Sequence, residues 1–158
     1  VVAILTVIAA IAGTRMMRAR MSAAEASAVA SLRVINSGEA TYSSSCAAGG
    51  YAIDLADLAL APAGSDEGFV SPDLSANGVQ KTGYEFTLAR GGDPGTVDVT
   101  VATCNGSGSM PASAYHAAAD PVDNWGSRYF ATDKRGTIYQ DQTVALLNPI
   151  PAAATAYR

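Results

Sequence analysis

Residues 1–45, VVAILTVIAAIAGTRMMRARMSAAEASAVASLRVINSGEATYSSS, decide how this chain of 158 residues is built. The first fourteen carry no charge, and Arg15, Arg18 and Arg20 follow them. Met17, Met21, Ala24, Ala28, Leu32, Ile35 and Tyr42 then recur at steps of three, four or seven. That is the spacing of one face of an α-helix. Arg18, Arg20, Glu25, Ser27 and Arg33 fall largely off the stripe, and no proline occurs before Pro62. The pattern predicts one continuous helix from Val1 to about Ser43, roughly 65 Å long. A domain of this size covers only part of such a rod. The second half can pack on the domain, while the all-apolar first half must find another partner.

Three readings compete for residues 1–14. A secretory signal peptide carries its positive charge before the apolar run, whereas here the arginines come after it. A complete transmembrane helix needs to cross roughly 30 Å of hydrocarbon, and fourteen residues span about 21 Å. The third reading, part of a longer apolar helix, fits the uninterrupted pattern best.

Composition narrows the function class. Apolar residues make up 49% of the chain, but aromatics only 7%, so alanine supplies much of the apolar count. The net charge is −4, which argues against a dedicated nucleic-acid binder with a basic face. Cys46 and Cys104 fit no CxxC or CxxCH pattern. One disulfide formed in an oxidising compartment is the simplest reading, with two buried free thiols as the alternative.

Beyond the helix, AAGGY marks its end, and Asp54 reads as the N-cap of a short helix over Leu55 to Leu60. Pro62 and Gly64 stop that helix, and residues 61–82 read as a loop. Tyr84, Phe86 and Leu88 alternate with Glu85 and Thr87, and Val97, Val99 and Val101 alternate with Asp98 and Thr100. Both runs predict strands with one apolar face. ASAYHAAAD is a weaker strand, and SRYFATDKRGTIYQ reads as a hairpin turning at Asp133 to Gly136. Tyr51, Trp125, Tyr129 and Tyr139 read as core. Pro149 and Pro151 exclude helix and central strand from the tail, which crosses its own domain or reaches a neighbour or, as an equal alternative, is a frayed end.

Little in the chain points to catalysis. His116 is the only histidine and Asp120 lies four residues on, but no GxSxG nucleophile motif is present. GGDPG lacks the Gly-Lys-Ser/Thr of a phosphate loop. Asp120, Asp123 and Asn124 are oxygen donors of the type calcium takes, although Pro121 and the lack of further acidic ligands favour a loop held by ordinary turn hydrogen bonds.

The stretch VVAILTVIAAIAG with RMMRARMSAAEASAVASLRVINSGEATYSSSC resembles the N-terminal helix of type IV pilins and related pseudopilins. GYAIDLADLA, FVSPDL, GYEFTL and YFATDKRGTIYQ resemble their globular part. The resemblance implies an α+β fold with a long, half-protruding N-terminal helix packed on a four- to five-stranded antiparallel sheet. Residues 1–45 would be the helix, with 1–14 as its apolar assembly and membrane segment. Residues 46–143 would be the globular αβ-loop and sheet, and 144–158 an extended tail. On that comparison Val1 stands about eight residues inside the mature chain, and the full run of about 22 spans a bilayer.

The function so implied is structural. Identical subunits would form a helical filament outside the bacterial cell, drawn from the inner membrane by a pilus assembly machinery. Adhesion, motility and DNA uptake would belong to the whole filament. No cofactor, catalysis or specific nucleic acid is expected. Val1, Val2, Ile4, Leu5, Val7, Ile8 and Ile11 point around the whole circumference of a helix, so several neighbouring helices must cover them as a filament core. Gly13 and Thr14 stand where the family commonly has a proline, and a helix break is expected there. A pseudopilin of a type II secretion system is the alternative, followed by a membrane-anchored binding domain.

Overall fold

Helix α1 runs as one element over Val2–Ser45 in the computed structural model, which describes residues 2–123 and 125–158, with side chains from Met16 onward. At about 1.5 Å per residue its 44 residues extend roughly 65 Å. The expected break at Gly13 and Thr14 is not present, because α1 is helical through both positions. Each of these residues only lowers helix propensity, by about 1 kcal/mol or less, and keeps the backbone N–H that a proline would remove.

Burial along α1 follows the sequence stripe from its second half only. Ala24, Ala28, Leu32, Ile35 and Tyr42 are buried, while Met21 is half-buried. Met17, placed on the same stripe by its spacing, is instead 64% exposed. The helical period continues there, but the sheet does not reach that far along the rod. Ala48 and Gly49 adopt positive φ and turn the chain out of the helix, and Gly49 N–H donates to the Ser43 carbonyl at 2.8 Å.

Helix α2 spans Leu55–Ala59, and the Asp54 side chain caps it by accepting from Ala56 N–H at 2.8 Å. Leu55 and Leu58 enter the core. A 3-10 turn, Pro72–Leu74, and strand β1, Val79–Lys81, occupy the stretch read as a loop.

The sheet has six antiparallel strands in sequence order: β1, then β2 (Tyr84–Arg90), β3 (Tyr115–Pro121), β4 (Tyr129–Asp133), β5 (Ile138–Asp141) and β6 (Thr155–Ala156). This exceeds the expected four or five, because two short edge strands are added. It also lacks one expected strand. Residues 97–101 alternate in sequence, yet only Asp98 forms a bridge, to Ala112, and Val97 is 60% exposed. The place beside β2 is taken by the alanine-rich β3, and the backbone of 97–101 meets residues 111–113 instead, where Val99 N–H donates to the Pro111 carbonyl and Ser113 N–H to the Val97 carbonyl.

Period two assigns the two sheet faces. Tyr84, Phe86, Leu88, Tyr115, Ala117, Ala119 and Phe130 pack toward α1 in one continuous core. Ala118 and Ala131 face the other way, where Leu146, Ile150 and Ala154 of the tail cover them. The tail therefore crosses its own domain. Asn148 fastens it by donating to the Arg90 carbonyl at 2.7 Å and accepting from Gly92 N–H at 2.5 Å. Strand β6 then closes on β5, and Tyr157 meets Phe130 edge to face at 5.6 Å.

Candidate assembly surface

Polar contacts hold the rod against the sheet. The Glu25 carboxylate accepts from Ser127 at the N–H (3.2 Å) and at the hydroxyl (2.8 Å), and faces Arg128 Nε at 3.6 Å. About three turns further along α1, Asn36 donates to Thr132 Oγ1 at 3.0 Å and to the Gly136 carbonyl at 3.2 Å. Its carbonyl oxygen accepts from the Tyr115 hydroxyl at 2.9 Å. Burial pushes the Tyr115 phenol up from its ordinary pKa, and that of Tyr84 up to about 12, so both stay neutral donors. The third tie is covalent: Cys46 at the end of α1 is bonded to Cys104. These ties begin at Glu25, and burial fades over the turn before it, so that residues 16–20 are left exposed.

Met16, Met17, Arg18, Ala19 and Arg20 are all exposed. Trp125, read as core from sequence, is instead 49% exposed and stands beside this turn. Its ring packs over Gly83, where φ is +79° and a Cβ would collide with the indole. Met17, Arg20, Met21, Asp123 and Trp125 together line an open groove of about 300 Å³. A second groove, about 550 Å³, lies further along α1, between Val34 and the connection 66–72. An exposed methionine pair on a helix is the one sequence signal that this surface carried.

The side chains of the expected filament-core residues, Val1, Val2, Ile4, Leu5, Val7, Ile8 and Ile11, lie outside the described residues. Among the described residues, no helix is long and apolar enough to cross a membrane.

The other candidate residues are separated. Asp120 sits half-buried on β3 opposite Glu85. Burial first, and Glu85 second, push its carboxyl above the ordinary carboxylate range. Asp123 is exposed with φ +54°, and Asn124 lies outside the described residues. Among the described residues, no three His, Cys, Asp or Glu side chains gather as a metal site would require.

His116 and Asp120 share one extended strand, so their Cα atoms are about 13 Å apart along it. The carboxylate opposite His116 is Asp133, which is engaged by Arg135 at 2.9 Å. Burial lowers the His116 pKa, against a smaller opposing pull from Asp133. The imidazole is thus a neutral, buried group under the tail.

No family model, curated protein or solved structure matches this chain.

Proposed function

We propose that the chain is the repeating structural subunit of a type IV pilus-like extracellular filament, polymerised through its apolar helix head. The observation that carries the reading is the contrast along one helix. From Ala24 to Cys46 its apolar face is buried by its own domain. Residues 2–14 continue the same element with no charged residue at all. Apolar side chains around a whole circumference need cover from several directions, and copies of the same helix supply it.

The head-to-tail contact this requires joins unlike surfaces, so it extends without closing. At about 25 cal/mol per Å² of apolar surface, burying the head contributes on the order of 10 kcal/mol per subunit before ordering costs. Ala3, Ala9, Ala10 and Ala12 lower the side-chain bulk between neighbouring helices. Neighbouring helices, rather than lipid, are the cover on which the reading depends. Catalysis has no part in it.

The test is electron microscopy of the full chain after detergent removal. Uniform filaments are expected. A monodisperse monomer after detergent removal would sink the reading, and a membrane-anchored domain would replace it.

A further inference from the structure

Two uncovered surfaces on α1 match each other in character. The first is the turn at residues 16–20, where Met16 and Met17 are more than half exposed. Arg18 and Arg20 are exposed too and form no ion pair among the described residues. The second is the groove of about 550 Å³, lined by Val34 and Phe69 and edged by Asp66 and Glu67. Those two carboxylates are exposed and likewise form no ion pair among the described residues. Arg33, next to Val34 in sequence, is not among the residues lining the groove.

One molecule cannot bring the two together. Arg18 and Val34 are sixteen positions apart on one helix, about 24 Å along its axis. Contact between them needs a second copy.

We propose that the methionine–arginine turn of one copy docks into the Val34–Phe69 groove of the next. Met16 and Met17 adapt to the apolar floor, as flexible thioethers do. Arg20, which lies between Met16 and Met17 on one face of the helix, meets Asp66 and Glu67 at the rim, where opposite charges set register more than raw affinity. The docked surfaces differ, so each copy offers a free turn and a free groove, and the contact repeats without closure. The inference rests on the filament reading and adds the contact that fixes the stagger of parallel copies at about 24 Å.

The experiment mixes two full-length variants, Met17→Cys and Val34→Cys, allows assembly and oxidises mildly. Peptide mapping first verifies that the Cys46–Cys104 bond is intact. The expected product is a 17–34 intermolecular disulfide in the mixture, with no linked dimer from either variant alone. Filaments that form without that link, or with a 17–17 link, overturn the docking while leaving the filament reading standing. Absence of any assembly by wild type and variants removes both.

Charge reversal gives the second arm. Arg20→Glu should raise the concentration needed for assembly about two- to fivefold. Adding Asp66→Lys and Glu67→Lys should restore it. Failure of that restoration, with all variants folded by circular dichroism, contradicts the pairing.

Discussion

The Glu39 carboxylate is fully buried in α1 and accepts a 2.9 Å hydrogen bond from the Ala52 backbone N–H. Its other oxygen has no hydrogen-bond partner among the described residues. Burial pushes the carboxyl well above the ordinary range, the Ala52 bond opposes that shift, and Asp57 adds to it. The folded state therefore holds this proton more tightly than the unfolded chain does. The stability it contributes is fully present below about pH 4.3, the unfolded value, and is lost as pH rises toward the folded one. Glu39→Gln keeps an acceptor for Ala52 without the titration. Urea midpoints measured from pH 4 to 8 should shift steadily in favour of the variant as pH rises. A pH-independent difference would contradict this account.

The Cys46–Cys104 bond ties the end of α1 to the long connection between β2 and β3 across 58 residues. Closing a loop of that length constrains the unfolded chain by about 4 kcal/mol. Alkylation without reduction should label neither cysteine. Replacing both with serine should lower stability by about 2–4 kcal/mol in denaturant titration. Two labelled thiols in the native protein would remove the tie.

Gly38 tests close packing between α1 and the connection after α2. Alanine is favoured over glycine inside a helix by about 0.5–1 kcal/mol. A Cβ at Gly38, however, would sit 2.7 Å from the Phe69 carbonyl oxygen and 2.9 Å from Val70 Cγ1. Overpacking against backbone should reverse the sign, giving Gly38→Ala a net loss of about 1–2 kcal/mol by thermal or urea unfolding. A stabilised variant would mean that this connection yields easily.

Much of this architecture was legible because it rests on short-range patterns. Helix α1 follows a single period, the Asp54 cap stands beside its own helix, and β2 alternates cleanly. The β4–β5 hairpin turns at Gly136, where φ is +71°. What was not legible depends on long-range company. The strand YHAAADP is only weakly legible, because burial on both faces removes its alternation, and nothing local places it in the middle of the sheet. Residues 97–101 alternate, yet their backbone meets residues 111–113 through one bridge and a few hydrogen bonds, and they form no strand. Asn77 organises β2 and α2 by bonding Leu88 on both its backbone groups and Asp54 at 2.9 Å, contacts that no local motif announces. Trp125 is exposed because its ring lies on a glycine turn at the edge of the domain, and aromatic content alone gave the opposite expectation.

The central claim is that residues 1–14 of neighbouring copies cover one another in a polymer. Ile8→Asp places a carboxylate in that apolar segment, where an unpaired charge out of water is penalised by several kcal/mol. The most direct measurement is negative-stain microscopy of wild type and Ile8→Asp side by side, with circular dichroism and the Cys46–Cys104 bond as controls for folding. Wild type should form filaments, and the variant should remain a folded, unassembled subunit. Normal filaments from Ile8→Asp would contradict it.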